Sequence, residues 1–215
     1  MIEGVLSVNP LFYLLVPAAF IIGSIPFGLL FTRGTGIDIR EHGSKNIGAT
    51  NVLRTAGKKP AILTLLGDIL KGTSAVVICK IVLMETGHDD AAASDFWLGL
   101  ISLTAVLGHM FSIFLSFKGG KGVATGFGVL AIYSPAIAGI MLGIWLLTAF
   151  TIRYSSLAAL IAFGAMPLMF YFSGYSDMKI SFGLLIALCI LYKHKTNIKN
   201  LIDGTESRIG GEKSS

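Results

Sequence analysis

The sequence predicts an all-α, polytopic membrane helix bundle, and three observations carry that prediction. Only 13% of the 215 residues are charged while 53% are apolar, against roughly 25% charged in an ordinary soluble domain. Residues 11–32, 96–117, 122–152 and 154–176 carry no charge at all, and each run can cross about 30 Å of hydrocarbon at about 1.5 Å per helical residue. The basic residues gather in short loops between the hydrophobic runs. That arrangement reports membrane orientation and excludes nucleic acid as the reason for the net charge of +5.

The first run reads as a retained helix, because Glu3 precedes it without a basic n-region and its apolar length exceeds a signal-peptide core. Within it GSIPFG, residues 23–28, supplies small residues for close helix packing and Pro26 for a kink. The second span, 61–84, contains Asp68, Lys71 and Lys80. Asp68 and Lys71 share one helical face and can neutralise each other; about 12 Å along the axis from Pro60, the pair either braces a site below the preceding loop or only ties helices together. The third span holds His109, expected to pack on a neighbouring helix. As one helix the 122–152 run would be about 45 Å long, too long for the bilayer core. A turn at Ser134-Pro135 is therefore expected, dividing it into helices near 123–133 and 136–151. The 154–176 run and the shorter 180–192 run complete seven transmembrane helices.

Positive-inside counting chooses seven over six. With the N-terminus outside, seven spans place Arg33, Arg40, Lys45, Arg54, Lys58, Lys59, Lys118, Lys121, Arg153, Lys193, Lys195, Lys199, Arg208 and Lys213 inside, and only Lys179 outside. The outside loops collect Glu3, Glu85, Asp89, Asp90, Asp95 and Asp177. Six spans would put the basic C-terminus outside. A single integral membrane domain, 1–203, is expected, with a polar tail, 204–215, that frays. Cys79 and Cys189 lie in spans and read as small buried apolar residues, and no metal or cofactor spacing occurs.

The chemistry-bearing residues concentrate in the inside loops. The first, His42 to Pro60, mixes Ser, Thr, Asn, Gly and basic residues, the types that bind anions through side-chain donors, exposed backbone N–H groups and a guanidinium fork. The second, KGGKG from Lys118 to Gly122, leads into a helix whose N-terminus can cradle a phosphate. It is not a Walker loop, since no Ser or Thr directly follows Lys121. The third begins at His194, with Asn197 one helical turn later on the same face. The alternative for each is an ordinary basic turn that only fixes topology.

In order, GSIPFG, HGSKNIGATN, GDILKG, LGHMFSIFLSFKGGKGVATGFG and HKTNIKNLIDGTE closely resemble the bacterial acyl-phosphate:glycerol-3-phosphate acyltransferases, over about residues 20–208. The resemblance implies a seven-helix bundle with three cytoplasmic motifs, in the cytoplasmic (inner) membrane, that forms lysophosphatidic acid for phospholipid synthesis. By position it implies Ser44, Arg54, His194 and Asn197 as catalytic. It implies Asn46, Thr50, Asn51, Lys71, Lys118, Gly119, Gly120, Lys121 and Gly122 as substrate-binding, with Asp68 and Glu206 in support. Lys45 stands where the family commonly has a second Gly, which makes that backbone less free to wrap a phosphate. The expected partners are acyl phosphate, glycerol 3-phosphate, membrane lipids and the enzyme that makes acyl phosphate; no cofactor is implied. An acyl phosphate is a mixed anhydride with a good leaving group, so the protein's task is mainly to hold two anions together. Either His194 or the donor's own phosphate takes the hydroxyl proton. The His-x4-Asp pattern of thioester-dependent glycerolipid acyltransferases is missing: Ile47, Ala93, Phe114 and Lys199 stand five places after the four histidines.

Overall fold

The computed structural model describes residues 10–88 and 90–210 and contains no strand among them. Glu3, Asp89 and Lys213 of the charge count lie outside the described residues. The helices are α1 (Leu11–Ser24), α2 (Phe27–Thr32), α3 (Ala49–Thr55), α4 (Lys58–Glu85), α5 (Ala91–Met110), α6 (Val123–Tyr133), α7 (Pro135–Thr151), α8 (Ser155–Phe172), α9 (Asp177–Lys193) and α10 (Lys195–Ile202). Four segments are long and apolar enough to cross a membrane: Leu11–Thr35, Lys58–Glu85, Ala91–Leu115 and Ser155–Phe172.

The 122–152 run divides at Ser134, whose backbone is not helical. Pro135 then opens α7, where its missing N–H would have had no helical partner anyway. The first run is broken outright between Ser24 and Phe27, which is more than the expected kink. A break in hydrocarbon strands carbonyls that no water can satisfy. Here Ser112 Oγ donates to the Ser24 carbonyl at 2.6 Å and Lys71 Nζ to the Ile25 carbonyl at 2.8 Å.

Small residues let the helices approach closely. Gly23 lies on the Ala105 carbonyl and Gly108 on the Phe20 carbonyl, so α1 and α5 meet backbone to backbone; Gly72 and Gly128 do the same for α4 and α6. Helix α8 packs between α7 and α9, and α9 returns against α5. The interior holds Phe12, Ile101, Met141, Phe163, Met166, Phe170 and Ile186. The outer face is apolar as well: Phe150 and Phe172 are 77% and 81% exposed, a pattern that suits lipid as the surrounding solvent. At one end Asp90 caps α5, and the Lys179–Asp95 ion pair, 3.2 Å, ties α9 to α5. The polar loops meet at the other end.

Candidate active site

The first loop is knotted around one buried side chain. Asn51, on α3, accepts from the Ser44 N–H at 2.8 Å through Oδ1. Its Nδ2 reaches the carbonyls of Ile39 (2.9 Å), His42 (3.2 Å) and Asn46 (2.8 Å). Asn46 Oδ1 in turn accepts from the Gly48 N–H, just ahead of α3. Lys45 sits in the left-handed region at φ 55°: the lysine adopts a conformation that favours glycine, at about 1–2 kcal/mol. Thr50 reaches Ser155 Oγ at 3.2 Å, tying α3 to the start of α8.

The second loop lies flat on the end of α5. Ser116, Phe117 and Gly122 all have left-handed backbones, which fold the chain back so that Gly119 N–H donates to the Met110 carbonyl and Gly120 N–H to the His109 carbonyl. There is no room for a side chain on either glycine, because the His109 carbonyl and ring fill the space. The Met110 carbonyl also accepts from Lys193 Nζ at 2.9 Å. Thus the glycine loop, α5 and α9 converge on a single residue.

The third segment folds back over the other two. Glu206 Oε1 accepts from Ser156 Oγ at 2.6 Å and Asn197 Nδ2 at 2.7 Å, and Oε2 from Asn200 Nδ2 at 3.3 Å. Arg54 donates to the Ser207 carbonyl at 3.0 Å, and Ile209 exchanges hydrogen bonds with Arg153. The tail through residue 210 is therefore strapped down where fraying was expected, because its backbone finds partners on three elements.

Between these segments lies a cavity of about 380 Å³. Ser44, Lys45, Asn46 and Arg54 line it from the first loop, Gly119 and Lys121 from the second, and Lys193, Asn197, Asn200 and Glu206 from the third. Four cationic side chains thus face one carboxylate. Burial pulls the Lys121 ammonium below the usual lysine range, opposed by Glu206 and reinforced by Arg54. Burial likewise lowers Arg54, against Glu206. Both responses mark cations held away from water, where an anionic ligand relieves them. His194 is 2% exposed and burial drives it down to about 4. Its Nδ1 lies 2.8 Å from the Ile190 carbonyl; because a carbonyl only accepts, the proton sits on Nδ1 and Nε2 carries the lone pair. Among the described residues no group of three or more His, Cys, Asp or Glu is placed to hold a metal ion.

The family described as Glycerol-3-phosphate acyltransferase matches residues 13–204 of this sequence. The chain belongs to the glycerol-3-phosphate acyltransferase family. It is 49% identical over 192 residues, 89% of each chain, to a glycerol-3-phosphate acyltransferase of Sinorhizobium fredii. It is 45% identical over 199 residues to one of Neisseria meningitidis serogroup C, covering 92% of this chain and 97% of that one. Among solved structures it resembles PlsY, an integral membrane glycerol 3-phosphate acyltransferase, in its glycerol 3-phosphate form (TM-score 0.84, 38% identity, 93% and 96% of the two chains). The lysophosphatidic acid form of that protein aligns with a TM-score of 0.79 at 37% identity, over 92% and 94% of the chains.

For this acyltransferase-family chain, the sequence-derived residues divide by position. Ser44, Asn46, Arg54, Gly119, Lys121, Asn197 and Glu206 line the cavity together. Thr50, Asn51, Lys118, Gly120, Gly122 and His194 are not among the lining residues: Asn51 and Thr50 hold the first loop, Lys118 is exposed, and Gly120 and Gly122 abut His109 and Met110. Lys71, expected at the substrate, is instead buried beside Asp68 at 2.7 Å, with its ammonium on the Ile25 carbonyl. The helix break leaves the Ile25 carbonyl in need of a donor, which the kink expected at Pro26 does not imply. Lys45, Lys193 and Asn200 line the cavity but were not assigned to it. For Asn200 a signal existed, since it follows Asn197 by three positions on the same helix face.

Proposed function

We propose that this chain is a glycerol-3-phosphate 1-O-acyltransferase whose acyl donor is acyl phosphate, releasing lysophosphatidic acid and inorganic phosphate. The observation that carries the reading is the cavity itself: Arg54, Lys121, Lys193 and Lys45 face a single Glu206 in a space assembled from three loops at one end of the bundle. Such an excess of cations suits two phosphate-bearing reactants held side by side, which is most of what transfer from a mixed anhydride requires. Relatives named as glycerol-3-phosphate acyltransferases, and a structural neighbour described in a glycerol 3-phosphate form, support the acceptor.

In this mechanism the glycerol 3-phosphate hydroxyl attacks the acyl carbonyl, the new ester C–O bond forms, and the bond to the phosphate oxygen breaks. Lys121 holds the acceptor's phosphate, with the side-chain-free Gly119 as the wall beside it; Arg54, Asn46 and Ser44 hold the donor's. Ser44 acts as a hydrogen-bond donor, since an acyl-enzyme would need a base at its hydroxyl and the lining is dominated by cations. The hydroxyl proton goes to the departing phosphate. His194, at about 4 and outside the lining, is a poor match for a base near neutrality; it positions α10 and Asn197 instead.

The same reading has seven membrane passes, N-terminus outside and the site at the cytoplasmic face of the inner membrane. The site end collects the ends of α2, α5, α7 and α9 and the starts of α4, α6 and α8, so each successive pass reverses direction. The domain then runs to about residue 203 with a short strapped tail, and the enzyme that makes acyl phosphate is its natural upstream partner. The test supplies purified protein with labelled glycerol 3-phosphate and either palmitoyl phosphate or palmitoyl thioesters. Labelled lysophosphatidic acid from acyl phosphate alone is expected; formation from a thioester alone overturns the donor assignment. Cysteines introduced at Lys45 and Lys121 should both react with a membrane-impermeant reagent from the cytoplasmic side, and labelling from opposite sides refutes a shared site.

A further inference from the structure

The structure assigns His109, braced by Asp68, as the positioning residue that sets the glycine loop of the phosphate site. The assignment rests on the proposed function for the identity of the ligand, and on geometry for everything else. His109 is 3% exposed, at the last turn of α5, where an ionisable group calls for a functional explanation. Its Nδ1 is 3.5 Å from Asp68 Oδ1, and among the described residues that nitrogen has no other hydrogen-bond partner. The same Asp68 oxygen also meets the Lys71 ammonium, at 2.7 Å. Lys71 is anchored in turn on the Ile25 carbonyl.

The other face of the imidazole meets the loop. Its Nε2 is the atom nearest to where a Gly120 side chain would stand, and the His109 carbonyl receives the Gly120 N–H at 3.0 Å. Ring and carbonyl thus fix Gly120 from two directions. The flanking residues, Gly119 and Lys121, are the ones that line the cavity. A continuous contact path therefore leads from the α1–α2 break, through Lys71, Asp68 and His109, to the loop that carries Lys121. Displacing such a loop by an ångström can cost about 100-fold in rate.

The experiment uses the full chain purified in detergent, with four variants: His109→Ala, His109→Gln, Gly120→Ala and the double His109→Ala/Gly120→Ala. Steady-state kinetics are measured for both substrates, and amide hydrogen exchange for residues 118–122. His109→Ala should raise KM for glycerol 3-phosphate about tenfold, leave KM for acyl phosphate within about twofold, and speed exchange in the loop. His109→Gln, which keeps a donor toward Asp68, should recover part of the loss. Gly120→Ala should impair the acceptor KM because its methyl meets the ring, and the double variant should be less impaired than Gly120→Ala alone. A fall in melting temperature with unchanged exchange and unchanged KM reduces His109 to packing and overturns the assignment, as does a KM change confined to the acyl donor. If wild-type protein acylates nothing, the functional reading fails, while the exchange arm still decides whether His109 sets the loop. If His109→Ala does not fold, His109→Gln and Gly120→Ala carry the decision.

Discussion

Replacing Asn51 by Ala separates two roles for the first loop. In the structure this 2%-exposed carboxamide accepts the Ser44 N–H and donates toward three carbonyls, Ile39, His42 and Asn46. Alanine removes all four contacts and leaves the partners without a replacement inside a closed loop. At about 1 kcal/mol net per hydrogen bond, and somewhat more where a buried group is orphaned, the loss comes to about 2–4 kcal/mol. For a chain of this size that corresponds to a fall of about 5–15 °C in Tm. Asn51→Asp should be worse, because a carboxylate oxygen would replace the NH2 group facing three carbonyls. The assay is thermal unfolding in detergent followed by kinetics below the lowered transition. Stability should fall first, with kcat/KM falling because Ser44 is no longer held. If Asn51→Ala instead leaves Tm unchanged and raises KM for one substrate, the side chain contacts that substrate and the knot is not what holds the loop.

Arg54→Ala should raise the KM of a phosphate-bearing substrate about 10- to 100-fold, the worth of charge-assisted hydrogen bonds at about 1.5–3 kcal/mol; Arg54→Lys should recover only part, since the planar fork is lost. Unchanged kinetics in folded Arg54→Ala would remove it from the site. Burial lowers Lys121, so raising the pH discharges it earlier than an ordinary lysine near 10.4. Glycerol 3-phosphate KM should accordingly climb as the pH is raised, at lower pH than an unshifted lysine would give, and Lys121→Arg should flatten that climb; a flat wild-type profile contradicts the assignment. Lys45→Gly relieves a left-handed backbone and should raise Tm by about 2–4 °C while weakening anion binding through the lost cation. A lower Tm would show that the lysine's contacts outweigh its strain.

The site was legible where chemistry and local pattern coincide. Residue type and motif order single out Ser44, Arg54, Lys121, Asn197 and Glu206, and all five line one cavity. Misplaced assignments share one cause, because a residue type says what a side chain can bond but not what competes for it. Asn51 is an adept phosphate donor in isolation, yet its amide is spent on the backbone. Lys71 is a cation within reach of the loops, yet the broken first span claims it.

By itself the sequence determined that the chain is a membrane helix bundle and that its Ser, Asn, Gly and cationic residues concentrate in a few short loops. Hydrocarbon length, charge exclusion and the cost of buried polar groups act residue by residue and leave their mark in order along the chain. Only the tertiary structure decided which of those residues face the cavity and which hold it open. That choice depends on helix breaks, left-handed turns and the return of the tail, all of which bring together groups far apart in sequence and set them competing for the same few carbonyls.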